Sequence, residues 1–93
     1  MDKIKKRDRV EIVYDILKNI MLNNNSIKPT PLMRYSNLST TSFNEYMKEL
    51  KEKGLVKELK DKKNRNYLTL TDKGFEFINK YKQIKGFIEE FNL

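Results

Sequence analysis

Residues 28–74 read KPTPLMRYSNLSTTSFNEYMKELKEKGLVKELKDKKNRNYLTLTDKG, and their order decides the fold. Thr30 before Pro31 suits an N-cap followed by proline at the first helical position, so a short helix is expected over about 31–36. It buries Leu32 and Tyr35. Asn37-Leu38-Ser39 is a turn whose leucine fills the gap between two helices. Ser39 or Thr40 then caps a helix running to about Lys53, with Phe43, Tyr46, Met47 and Leu50 on its inner face. Gly54 stops it as a left-handed C-cap. Two strand-like runs follow, Leu55 to Lys60 and Asn66 to Leu70, joined by a loop at Asp61 to Arg65 of hairpin length. The sum is helix, turn, helix, then a β-hairpin.

Working outward, Ile12, Val13, Ile16, Leu17, Ile20 and Met21 form one apolar stripe. A first helix is therefore expected from near Lys5 to the polar stop Asn23-Asn24-Asn25-Ser26. Beyond the hairpin, Thr71 caps a last helix expected over about 72–91, with Asp72 in its favourable first turn. Phe77, Tyr81, Ile84, Ile88 and Phe91 are spaced as a heptad seam. At 1.5 Å per residue this helix is about 30 Å long, more than so small a core requires. The seam reads as a homodimer interface, with Phe75, Ile78 and Phe87 free to face the chain's own core. The fold class expected is mainly α with a small β-hairpin. The organisation is a DNA-binding unit over 1–74 and a dimerisation helix over 75–93, in one compact domain.

Composition narrows the function. The chain has 93 residues, 38% of them hydrophobic, and a formal charge of +7 from 20 basic and 13 acidic side chains. Such an excess favours polyanions. Cysteine and histidine are both absent. The sequence thus lacks the commonest zinc ligands and the usual neutral-pH general base. Its three glycines are scattered rather than gathered in a phosphate loop. No catalytic residue, metal or cofactor is expected, and neither is a small-molecule ligand. No segment approaches the roughly 20 apolar residues of a membrane span. A cytoplasmic, nucleoid-associated protein with no membrane partner is the expectation.

The candidate DNA-binding residues lie on three pieces. On the second helix of the pair, a 100° step per residue turns Thr41, Asn44, Glu45 and Lys48 outward when Phe43 and Leu50 face in. Its opening residues Ser39, Thr40, Thr41 and Ser42 are small enough for close approach, and free N–H groups there attract phosphate. Asn44 can pair with adenine, and Glu45 can accept from cytosine. The hairpin from Lys57 to Arg65 carries five cations and two acids. Lys60, Lys62, Lys63, Asn64 and Arg65 are its candidates for backbone or minor-groove contact. Lys28, Thr30 and Arg34, at the ends of the short helix, are candidates for positioning contacts to phosphate. The N-terminal cluster of Lys3, Lys5, Lys6, Arg7 and Arg9 is a weaker one. Against these stand an ordinary solvated helix face and an edge strand made soluble by lysine.

Several segments together resemble the archaeal winged helix-turn-helix family of small DNA-binding proteins, which has chromatin-associated, viral and plasmid relatives. They are Ile12-Val13-Tyr14-Asp15-Ile16-Leu17, Lys28-Pro29-Thr30 with Leu32-Met33, Asn37-Leu38-Ser39, Gly54-Leu55-Val56, and Leu70-Thr71 with Lys73-Gly74. The resemblance covers about residues 9–85. It implies a homodimer joined by the C-terminal helix, often as an antiparallel coiled coil, with double-stranded DNA held by the third helix and the wing. Thr40-Thr41-Ser42 stands where many relatives carry an aromatic or basic residue. The function expected is a sequence-specific, homodimeric transcriptional regulator. A sequence-tolerant chromatin protein and a protein-docking winged helix are the alternatives.

Overall fold

The computed structural model describes residues 7–92. Helices α1 (Arg9–Leu22), α2 (Pro29–Tyr35) and α3 (Thr40–Glu52) precede strands β1 (Val56–Lys60) and β2 (Asn66–Leu70), and α4 (Asp72–Glu90) closes the chain. The expected winged helix-turn-helix is therefore present, with its long C-terminal helix.

The core explains the order. Ile16, Leu17 and Ile20 of α1 and Leu32 of α2 are fully buried. Phe43, Met47 and Leu50 of α3 close over them, as the apolar spacing required. The hairpin adds Val56, Leu68 and Leu70, and α4 adds Ile78. The first half of α4 thus belongs to the core, although it lies past residue 74.

β1 and β2 pair antiparallel, from Val56 opposite Leu70 to Lys60 opposite Asn66. Only Val56 of β1 is buried, so the strand enters the core at its start and leaves it as a free wing. A third segment joins the sheet edge. The Ile27 N–H donates to the Leu68 carbonyl at 3.2 Å, and the Leu68 N–H donates back at 2.8 Å. The Asn25 side chain accepts from the Leu70 N–H at 2.7 Å.

Four expectations are corrected. First, α1 starts at Arg9 and not near Lys5, because Asp8 and Glu11 form a reciprocal capping box that fixes the start. Lys5 itself lies outside the described residues, as do Lys3 and Lys6. Second, α2 starts at Pro29 with Lys28 as its N-cap, so Thr30 sits inside the first turn rather than capping it. The bridge at Ile27 holds the chain extended up to Lys28, and Pro29 takes the first position. Third, Tyr35 is 61% exposed, not buried. Fourth, Phe87 does not face the core but is 58% exposed.

The remaining signals are as read. Ser39 accepts from the Ser42 N–H and caps α3. Gly54 has φ +74°, the left-handed stop. Thr71 accepts from the Gly74 N–H and caps α4.

Candidate nucleic-acid interface

Helix α3 has two outer edges of different character. Thr40, Thr41, Asn44 and Lys48 are exposed along one. Thr40 and Asn44 share a groove with Pro29, Thr30 and Met33 of α2. The other edge is acidic. Ser42, Glu45 and Glu49 line a cleft with Arg9 and Tyr46. Arg9 and Lys53 both pair with Glu49, and the Arg9 guanidinium lies 5.7 Å from the Tyr46 ring centre. Ser42 is therefore turned toward α1, unlike its neighbours Thr40 and Thr41. Glu45 is exposed beside it, at the acidic border of the surface.

The wing meets α2 on the neutral and basic side. Lys28 and Thr30 line a groove with Pro29, Pro31, Arg65 and Asn66. The Lys28 ammonium stands 6.0 Å from the Tyr67 ring centre. Thr30 belongs to both grooves, so it links the α3 edge to the base of the wing. The result is one continuous strip: Lys48, Asn44 and Thr40, then Thr30 and Lys28, then Asn66 and Arg65. Pro29, Pro31, Asn66 and Tyr67 were not among the expected site residues. Their place follows from the pairing of Ile27 with Leu68, which no local sequence signal marks. Arg34 lies at the other end of α2, outside both grooves.

The tip of the wing is fixed by Asp61. Its carboxylate accepts from the Lys63 and Arg65 N–H groups at 2.9 Å each and from Arg65 Nε at 2.6 Å. Asn64, at φ +64°, makes the left-handed step of the turn. The charge of Arg65 is thus spent within the loop. Glu58 is likewise paired, with Lys51 of α3 at 2.8 Å, which braces β1 against that helix. Both acids of the wing are therefore neutralised by the protein itself. Among the described residues, Lys57, Lys60, Lys62 and Lys63 make no ion pair, and all are exposed. That leaves four free cations on one hairpin, pointing away from the core.

The Arg65 backbone N–H, seconded by its side chain and the Lys63 N–H, holds the Asp61 carboxyl below its ordinary value of 3.8. The folded group thus binds its proton less readily than the unfolded one. The latch is complete above that value and is lost as pH falls through the depressed one. Amide exchange at Lys63 and Arg65 is expected to stay slow down to about pH 4 and to accelerate below it, ahead of global unfolding. Asp61→Asn should show fast exchange at neutral pH.

A short helix packed across a second one, with a cationic hairpin beside the second helix's exposed edge, defines a winged-helix domain. The chain belongs to the winged helix-turn-helix family, whose model matches residues 6–89. No curated protein sequence is significantly similar to it. Its fold is similar to that of several solved structures. Sso10a-2, a DNA-binding protein from Sulfolobus solfataricus, superposes with a TM-score of 0.75 at 19% identity over 91% of this chain and 85% of that one. A winged-helix DNA-binding protein from STIV gives a TM-score of 0.71 at 19% identity, covering 85% of this chain and 90% of that one. MepR, a transcription regulator of the Staphylococcus aureus multidrug efflux pump MepA, gives 0.77 at 14% identity, over 86% of this chain and 60% of that one. At such identities the likeness is one of fold. Among the described residues, no helix is long and apolar enough to cross a membrane.

Proposed function

We propose that this chain is a homodimeric, sequence-specific transcriptional regulator of double-stranded DNA. The observation that carries the reading is the single strip from the α3 edge through Thr30 and Lys28 to the wing. In it the α3 N-terminus enters the major groove, and Thr40, Thr41, Asn44 and Lys48 meet base edges. Ser39 and the N-terminal N–H groups of α3 approach the flanking phosphate. Lys60, Lys62 and Lys63 grip the adjacent backbone, with Asn64 and Arg65 shaping the tip. Lys28 and Thr30 anchor the backbone between the two, and Arg34 reaches a more distant phosphate. The exposed Glu45, which makes no ion pair among the described residues, sets the limit of the footprint, since it repels phosphate. The names of the similar structures, DNA-binding proteins and transcription regulators, support this use of the fold.

Affinity is expected to fall steeply with salt, by about 0.9 log unit per log unit of salt for each phosphate neutralised. Six to ten contacts per dimer correspond to a loss of about 10³–10⁵ between roughly 50 and 200 mM salt. Titration of duplex DNA at four salt concentrations measures the slope, and a flat response removes the reading. A sequence-tolerant architectural role is favoured by one fact: few side chains on the exposed α3 edge are long enough to read bases. Selection from a random duplex pool separates the two. A regulator enriches a palindrome with half-sites about one helical turn apart, whereas a packaging protein enriches nothing.

The dimer rests on α4. Phe77 and Tyr81, expected in the seam, are partly used within the protomer, where Tyr81 stacks on Tyr14 at 4.4 Å between ring centres. Ile84 at 60%, Ile88 at 39% and Phe91 at 58% exposure remain open, joined by Phe87. Four large apolar groups at the free end of one helix are the natural meeting surface for a second copy.

A further inference from the structure

The two grooves of the strip differ in chemistry. The one at the base of the wing holds Lys28 and Arg65 and suits a phosphate. The one between α2 and α3, about 260 Å³, is lined by Pro29, Thr30, Met33, Thr40, Phe43 and Asn44, none of them charged. Its floor is apolar. Phe43 is only 5% exposed, and Pro29 and Met33 are half-buried. Its walls are the exposed Thr30, Thr40 and Asn44. An uncharged hollow with an apolar floor offers a phosphate nothing, whereas a small apolar group leaves water on entering it. The major groove of DNA presents one such group, the C5-methyl of thymine.

We infer that the α2–α3 groove receives a thymine C5-methyl, so that α2, through Pro29 and Met33, acts with α3 to select A·T pairs. The inference rests on the DNA-binding function proposed above and names a base pair that the protein selects. Asn44 sets the register. It is exposed and walls the groove, so its amide meets a base edge while the methyl enters alongside. Its Oδ1 accepts from adenine N6, and its Nδ2 donates to adenine N7. Against guanine the same pose sets Oδ1 on O6, acceptor facing acceptor. Thr40 and Asn44 are four residues apart and so span about 6 Å, less than two base-pair steps of about 3.4 Å. The adenine and the methyl therefore belong to one A·T pair or to adjoining ones. Nearby polar groups are placed elsewhere. Ser39 Oγ is committed to the helix cap, accepting from the Ser42 N–H at 3.2 Å. Lys48, the cation of this edge and the side chain suited to guanine, stands a turn past Asn44 and outside the groove. Short side chains on α3 thus serve a purpose. They let the groove floor, which belongs partly to α2, approach the base edge.

The decisive test alters the DNA and leaves the protein fold untouched. The probe is the duplex enriched from the random pool. Uracil in place of thymine removes only the methyl, and 7-deazaadenine in place of adenine removes only the N7 acceptor. Each is introduced one position at a time. Uracil at one thymine of a half-site is expected to weaken binding about fourfold. 7-Deazaadenine at the same or the adjoining pair is expected to weaken it about fivefold. In Met33→Ser the uracil penalty should vanish while the 7-deazaadenine penalty stays, and in Asn44→Ala the reverse. Met33 packs partly against the core, so its melting temperature is checked first. If that variant does not fold, the modified duplexes and Asn44→Ala decide the matter. Uracil tolerated at every thymine overturns the inference. So does a uracil penalty that a folded Met33→Ser leaves unchanged, a 7-deazaadenine penalty that survives Asn44→Ala, or an enriched half-site without A·T pairs. All four outcomes leave sequence-specific DNA binding standing. A pool that enriches nothing overturns the inference and sequence specificity together, and the salt titration then tests DNA binding separately.

Discussion

Replacing Lys62 and Lys63 together by glutamate is expected to lower duplex affinity at least about a hundredfold at roughly 0.1 M salt, and to flatten the salt dependence by about 1.8 log units per log unit for each protomer engaged. Among the described residues, both ammonium groups make no ion pair, and the neighbouring acids are already taken. Asp61 is held by the loop, and Glu58 is held by Lys51. Each lysine is thus available to displace a counterion from DNA, and reversing its sign replaces that gain with repulsion. The fold should not notice, since both side chains are exposed and the turn is made by Asp61 and Asn64. The control is Lys18→Glu, at an exposed position of α1, compared with Lys62→Glu alone. Equal losses from the two would show that net charge alone is felt, and the wing would lose its assigned place.

The largest effect on stability is expected at Gly74. A methyl group there would press on the carbonyl oxygen of Leu55 and stand 3.2 Å from Leu70 Cδ2. Backbone cannot step aside as a side chain can, and this backbone is tied down. The Thr71 N–H donates to the Leu55 carbonyl at 3.2 Å, Thr71 Oγ1 donates to the Gly54 carbonyl at 2.6 Å, and Lys73 Nζ donates to the Lys53 carbonyl at 2.9 Å. Overpacking of this kind costs about 3 kcal/mol, of which about 1 kcal/mol is returned by the better helix propensity of alanine. A net loss of about 2 kcal/mol lowers the melting temperature of a domain this size by roughly 10 °C. Gly86→Ala is the internal standard. It lies in the same helix with nothing within 4 Å of its would-be Cβ, and should be neutral or stabilising by up to about 1 kcal/mol. If the two variants melt together, α4 does not approach Leu55 as described.

What was legible in the sequence was local. Ser39 three residues before Ser42, glycine at 54 and Thr71 before Asp72 each state a backbone need that one side chain can meet. The elements they bound are where the spacing put them. Where two residues could meet the same need, the sequence did not choose between them. Pro29 and Pro31 both suit a first helical position, and only the pairing of Ile27 with Leu68, 41 residues apart, decides for Pro29. Asp8 and Glu11 did spell a capping box, but the basic run around them masked it. The heptad on α4 posed the same difficulty at larger scale. Spacing of 4 and 3 serves packing on α1 as well as packing on a partner. The stacking of Tyr81 on Tyr14 shows that the first two positions serve their own chain at least in part. At the candidate interface the charges were countable from the sequence, but their availability was not. Five wing cations became four free ones once Arg65 was seen latched to Asp61.

The clasp between the end of α3 and the start of α4 makes a lever of the long helix. The three hydrogen bonds at Thr71 and Lys73 leave no hinge between α3, the proposed DNA-reading element, and a shaft extending about 26 Å from Gly74 to Phe91. Two copies joined along that shaft would hold their reading elements at a fixed separation. A tilt of only about 3° over its length would displace each of them by roughly 1 Å, a sizeable fraction of the 3.4 Å rise of a base-pair step.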